Sequence, residues 1–238
     1  ASSNGHPKMN SQILLLMFAL TLIVDDDAPA DFSTIQSAVN AAQLGDTVLI
    51  QPGTYQEPVI IDGKTDLTIQ GVNRDSVLVQ NPYDLVVMFD VLNSQNASLL
   101  ELTVDNYGLP GVRATDSREI EIRRLRLLNA HVHLHGVDQA SVVDNGYVRD
   151  KIMVRYMAVT NSRYVAFGRN SLSRATVAVS RRGEAFYFAS LSFTDLQTFR
   201  IWGNQLGGTG FGNVFEIWLE GRTPGLNLLL PNNVWGVA

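Results

Sequence analysis

Between residues 31 and 80 the chain passes from one short amphipathic helix into a succession of strands too short to bury themselves, and that order narrows its fold more than any other feature. Ser33, followed three residues later by Gln36, reads as a capping box, and Ile35, Ala38, Val39 and Ala42 recur at helical spacing. A helix over 33–42 with one apolar face is expected, ended by Gly45. Short β-branched or leucine-rich runs follow at 48–51, 59–61, 67–70 and 77–80, separated by Pro-Gly, Asp-Gly or Asn-containing turns.

Further along, GVRATDSREIEI at 111–122, HVHLHGVDQASVV at 131–143 and MAVTNSRYVAF at 157–167 repeat strand, polar turn and strand at a spacing of about 20–23 residues. Val112, Val132 and Val177 fall at comparable places in this repeat. So do Ile120 with Ile122, Val142 with Val143, Val165 with Phe167, and Phe186 with Phe188. Apolar and polar residues alternate within each run, giving every strand one core face and one solvent face. Such repeats bury their apolar sides only by stacking, so a parallel-sheet solenoid follows. Asn129, Asn145, Asn161, Asn170 and Asn204 lie near its turns, where asparagine tolerates left-handed backbone and can stack on its counterpart in the next coil.

The segments VDDDAPADFSTIQSAVNAA, GDTVLIQPGTYQE and LTIQG, in that order, resemble the N-terminal turn of secreted right-handed parallel β-helix proteins, the pectin-lyase-like superfamily that includes pectate lyases and pectinesterases. The resemblance implies an all-β fold: a right-handed parallel β-helix solenoid whose open end is plugged by the short N-terminal capping helix. It does not fix a reaction, because the superfamily holds lyases, hydrolases, esterases and epimerases. The pectinesterase catalytic segment Asp-Phe-Ile-Phe-Gly has no match; the nearest stretch, Tyr164-Val165-Ala166-Phe167-Gly168, carries tyrosine where the aspartate belongs.

Residues 31–238 read as one β-helix domain, and 1–30 as a leader or a first cap. The apolar run at 13–24, ILLLMFALTLIV, is too short for a stable membrane span but fits a secretory signal, the alternative being a first strand on the solenoid end. Secretion or cell-surface display is the expectation. No cysteine is present, which excludes disulfides and thiolate metal sites. The closing stretch LNLLLPNNVWGVA shows no polar cap, so self-association is expected where parallel strands end uncovered.

A net charge of −5 conceals an uneven distribution. Residues 1–110 carry 3 basic and 13 acidic side chains, while 111–200 carry 14 basic and 8 acidic, 13 of the 14 being arginine. Arginine suits planar recognition of carboxylate or sulfate, and an acidic polysaccharide is the partner this predicts; no nucleic-acid motif accompanies the charges. His131, His133 and His135 alternate with Val132 and Leu134, which places three imidazoles on one solvent face as a pH-sensitive ligand surface and not a metal site. The expected substrate-binding set is Arg123, Arg126, His131, His133, His135, Arg149, Lys151 and Arg155, joined into one basic stripe across the sheet.

A lyase would need a base for the proton α to a uronate carboxylate and a cation for the resulting charge, for which Lys151, Arg155 and His133 are the candidates. No cofactor is predicted, except a divalent cation if the protein is a lyase. A glycoside hydrolase would need converging carboxylates, and Asp105, Asp116, Asp138, Asp144 and Asp150 read first as turn residues. Three functions are therefore carried forward: a polysaccharide-binding β-helix, a polysaccharide lyase or hydrolase, and a structural or adhesive solenoid.

Overall fold

A computed structural model describes residues 18–149, except 28, 81–85 and 108, together with 153–160, 162–174, 187–194, 198–202, 205–207, 213–220, 227–229 and 234–235. Strands come in threes. Thr47–Ile50, Gly53–Tyr55 and Val59–Asp62 make the first coil, and each later coil adds one parallel strand to each of three sheets. The first sheet runs from Thr21–Val24 to Asn227–Leu229 in nine strands, the second from Gly53–Tyr55 to Val234–Trp235 in eight, and the third from Val59–Asp62 to Asn213–Glu220 in seven. This is the right-handed parallel β-helix expected from the repeats and the resemblance.

Alternation within the strands supplies the core. Val48, Ile69, Leu99, Ile122, Val142 and Phe167 stand in register along the first sheet, all buried, as do Ile61, Val91, Ala114, Leu134 and Val159 along the third. Tyr55, Val79, Val104, Leu127 and Tyr147 line the second. Coils about 4.8 Å apart thus stack apolar side chain on apolar side chain, and none could bury its inward residues alone. Val112 and Val132 pair as expected; Met157 follows them, and Val177 lies outside the described residues. Phe188 corrects the repeat assignment: it pairs with Met153 and Val214 on the third sheet, whereas Val165 and Phe167 belong to the first.

The helix spans Ile35–Ala41, with Ile35, Ala38 and Val39 buried against the end of the core. Its cap is Thr34 and not Ser33, because Thr34 is the last residue with extended backbone, and its hydroxyl accepts from Ser37 N at 3.2 Å. Glu57 adds a second cap, its carboxylate accepting from Ile35 N at 2.7 Å and Gln36 N at 3.0 Å. Gln36 is thereby released from the expected capping box to cover a sheet edge. Its Oε1 accepts from Ile60 N at 2.6 Å and its Nε2 donates to Ile60 O at 3.1 Å, occupying backbone groups at the open edge of the third sheet. Beyond the helix the backbone turns at Gly45, φ 85°. Thr21–Val24, the end of the apolar run, pairs with Thr47–Ile50 as the outermost first-sheet strand.

Buried polar ladders hold the corners. Between the first and second sheets, Asn145 Oδ1 accepts from Leu125 N at 2.9 Å, and Asn170 Oδ1 accepts from Asn145 N at 2.9 Å and Asn145 Nδ2 at 3.1 Å. The expected asparagine stack is therefore present for this pair. Asn129 lies at a second-to-third corner with φ 49°, and Asn161 and Asn204 fall outside the described residues. Between the third and first sheets Ser94, Ser117 and Ser162 play the equivalent part, each hydroxyl donating to the carbonyl two residues back while accepting an amide from the preceding coil.

Candidate functional site

Corner lengths single out one face. First-to-second corners use two residues at 124–125, 144–145 and 169–170 and five at 72–76, whereas the connections onto the third sheet range from two residues at 129–130 to eight at 81–88. Length variation in a solenoid maps to the face where side chains meet ligands. The third sheet also carries the longest strands, Met153–Thr160, Tyr187–Thr194 and Asn213–Glu220, of eight residues each.

Two polar rows cross its outer surface. Ile60, Asp90, Arg113, His133 and Ala158 are in register, and beside them Asp62, Leu92, Thr115, His135 and Thr160. Arg113 donates from Nε to Asp90 Oδ1 at 2.8 Å and from Nη2 to Asp90 Oδ2 at 2.5 Å, a two-pronged pair between adjacent coils. That hydrogen bonding pushes the Arg113 guanidinium above its ordinary value, so the cation is permanent. His133 occupies the next place in the row. His135 Nδ1 lies 2.6 Å from Thr160 Oγ1 on the adjacent strand. Asn93 Nδ2 donates to Asp62 Oδ1 at 3.0 Å at the corner where this row begins.

The three histidines do not share one exposure. His133 and His135 are partly exposed, but His131 is buried at 8%. It stands opposite Pro110, where the neighbouring strand bulges at Gly111 and the register shifts before Val112. The expectation of three solvent-facing imidazoles is corrected to two.

The remaining predicted residues are dispersed. Arg123 is on the first sheet, its Nε 3.0 Å from Glu121 Oε1, and Arg126 on the second, its Nη1 3.5 Å from Asp75 Oδ1. Arg149 ends the second-sheet strand Gly146–Arg149 in register with Arg174, Arg155 belongs to the third-sheet strand Met153–Thr160, and Lys151 lies outside the described residues. Arg123 and Arg126 thus do not join the histidines in one stripe, because each two-residue corner turns the chain onto another face. Charge is balanced as well as dispersed: Arg124 pairs with Glu101, and Arg169 with Asp144 at 2.6 and 2.7 Å. The Arg169 guanidinium, with Arg123 and Arg124 adding, holds the Asp144 carboxyl below the usual carboxylate range.

The carboxylates considered for hydrolysis also part company. Asp116 and Asp144 sit at different corners in left-handed backbone, Asp105 ends a second-sheet strand, Asp138 begins a first-sheet strand, and Asp150 is outside the described residues. Sequence reading missed Asp90, whose importance lies in a partner 23 residues away that only register reveals. Among the described residues, Asp25, Asp26 and Asp27 form a group whose carboxylate oxygens lie within 4.8 Å of one another, on the helix-capped end and away from this face.

No protein-family model and no curated protein sequence matches the chain. Solved structures do. It is similar to the catalytic domain of a GH87 α-1,3-glucanase in complex with nigerose, at TM-score 0.57 and 11% identity, over 90% of this chain and 45% of that one. The same glucanase domain in complex with tetrasaccharides gives TM-score 0.55 and 12% identity over the same shares. A pectin methylesterase from Aspergillus niger matches at TM-score 0.50 and 17% identity, over 92% of this chain and 85% of that one. The chain spans under half the length of the glucanase domain. At these identities the likeness shows the fold alone, a parallel β-helix.

Proposed function

We propose that this chain, a β-helix of the pectin-lyase-like fold, binds a polysaccharide along the outer face of its third sheet, outside the cell or at its surface, and that the ligand is acidic. The observation that carries the reading is the row Asp90, Arg113, His133 beside His135 and Thr160, on the sheet onto which the variable connections lead. The glucanase and pectin methylesterase named above, whose folds this chain shares, act on or bind saccharides, which supports the ligand class. Arg113 has donors beyond the two given to Asp90, and these suit a carboxylate. Thr115 and Thr160 offer hydroxyls to sugar hydroxyls. Histidine charge changes between about pH 5 and 8, so attraction for a polyanion grows as pH falls. Among the residues whose side chains are described, Asp90 and Asp62 are opposing charges on the face, and Arg113 offsets the first.

An enzymatic version draws on the same row, with His133 as base beside the Arg113 cation, and would release unsaturated uronate from the polymer. Electrophoresis through gels containing polygalacturonate tests the binding. Retardation at pH 5 should exceed that at pH 8, fall with added salt, and be lost in the double variant His133→Ala and His135→Ala. Equal retardation of wild type and variant would remove the third sheet from the reading, and release of unsaturated products would add catalysis.

A further inference from the structure

We infer that the outer face of the first sheet holds a second carbohydrate site, one for a neutral sugar ring, between the Tyr164 side chain and the polar groups of Glu119, Glu121, Gln139 and Ser141. A surface depression is lined by these residues, with the backbone of Ile120 and Ala140, whose side chains are buried in the core, as its floor. It is built from three consecutive strands, Arg118–Arg123, Asp138–Val143 and Arg163–Gly168. The hollow has a sequence cause. Across the sheet the outward row reads Glu121, Ser141, Ala166, so side-chain size collapses beside Glu121 and leaves room next to Tyr164.

The rim is held in a costly backbone conformation. One residue per coil at the entrance to this sheet has positive φ: Asp66 at 53°, Asn96 at 50°, Glu119 at 57°, Gln139 at 66° and Tyr164 at 55°. Asp and Asn adopt that region readily, whereas a bulky aromatic there is uncommon. The row changes from small, tolerant residues to Glu, Gln and Tyr where the depression lies. Tyr164 is 54% exposed, so burial of its ring does not account for the choice.

The polar groups are set in place by neighbours. Glu121 Oε1 forms an ion pair with Arg123, whose Nε lies 3.0 Å away, and its Oε2 accepts from Ser98 Oγ at 3.3 Å, while Glu119 Oε2 accepts from Gln95 Nε2 at 3.4 Å. Each carboxylate keeps acceptor capacity for further donors. An aromatic wall beside fixed acceptors and an amide matches a pyranose, whose C–H face is apolar and whose edge carries hydroxyls. Two carboxylates in the hollow disfavour a uronate. This site therefore selects a neutral sugar and stands on a different face from the proposed acidic ligand, on which it does not depend.

Gels containing hydroxyethylcellulose, xyloglucan, galactomannan or soluble starch, with polygalacturonate in parallel, test the inference. At least one neutral polymer should retard the wild type and Tyr164→Phe equally. Tyr164→Asn, which suits left-handed backbone and removes the ring, should weaken that retardation roughly tenfold, in line with loss of a central aromatic contact. Gln139→Gly, also at ease with positive φ, should weaken it independently and carries the test if the Tyr164 variant does not fold. The double variant His133→Ala and His135→Ala should behave as wild type towards the neutral polymer. No retardation by any neutral polymer, or unchanged retardation of both Tyr164→Asn and Gln139→Gly, overturns the site. Loss of polygalacturonate binding in the histidine variant, or its absence, reports on the third sheet alone.

Discussion

Replacing Asn145 with alanine should cost about 3 kcal/mol of stability, because two buried backbone groups lose side-chain partners together. Asn145 is 1% exposed; its Oδ1 accepts from Leu125 N at 2.9 Å, and its Nδ2 donates to Ile122 O at 3.0 Å and Asn170 Oδ1 at 3.1 Å. Alanine leaves the Leu125 N–H without that acceptor in a residue with no exposure, at a cost of about 1–3 kcal/mol for a buried donor. Ile122 O loses a donor, a smaller penalty, since a carbonyl has a second lone pair. Asn170 Oδ1 keeps the Asn145 backbone amide at 2.9 Å and so contributes little.

Aspartate at the same position sharpens the test. It keeps the acceptor for Leu125, but when ionised turns its second oxygen towards Ile122 O and Asn170 Oδ1, both acceptors. Folding then favours the protonated acid, raising its folded pKa above the unfolded value of about 3.9. The folded state holds the proton longer, so the deficit of Asn145→Asp relative to wild type should be small below about pH 4 and grow as pH rises through the folded pKa. Urea denaturation gives the energies, and hydrogen exchange at Leu125 reads the local effect in a solenoid whose coils unfold semi-independently. The reasoning fails if Asn145→Ala lies within about 0.5 kcal/mol of wild type, if Leu125 protection is unchanged, or if the aspartate deficit is flat with pH.

Glu57→Gln should weaken the cap on Ile35 and Gln36 by about 1 kcal/mol, seen as a lower urea midpoint and faster exchange across 35–41. The Asp144–Arg169 pair holds the Asp144 pKa down, so its contribution is present above the unfolded aspartate pKa and lost as pH falls through the folded one. Being half exposed it is worth less than about 1 kcal/mol, and Arg169→Leu should differ from wild type at pH 7 but not near pH 2. Burial, then Asp26 and Asp25, pushes the Tyr55 phenol well above the ordinary range, and its hydroxyl donates to Gln51 O at 3.0 Å. Alkaline absorbance titration should show Tyr55 ionising only on unfolding, identified as the late-ionising signal lost in Tyr55→Phe, with stability falling as pH rises above about 10.

The solenoid was legible because its cause is local and repeated. Alternation put Ile120 and Ile122, Val142, Val165 and Phe167 on an inner face, and that pattern survives any small error in where a strand begins. The helix cap was misplaced by one residue, from Ser33 to Thr34, since either hydroxyl satisfies the local motif and only the backbone angles and Glu57, from a later part of the chain, choose between them.

Which surface residues meet was a different matter. Arg123 and Arg126 are three positions apart in sequence, yet the corner at 124–125 sends them to separate sheets, while Arg113 and Asp90, 23 apart, grip each other. Composition located the arginines but not the carboxylates that offset them, and alternation aligned His131 with His133 without revealing the bulge at Gly111 that accompanies its burial. Tyr164, set aside in sequence because it stands where a catalytic aspartate was sought, joins Glu119 and Gln139 only through coil stacking. Sequence period determines which side chains point inward, because each strand carries that information in its own two-residue alternation. Outer neighbours are decided by coil lengths and corners summed over 20 residues or more, and only the folded ladder fixes that sum.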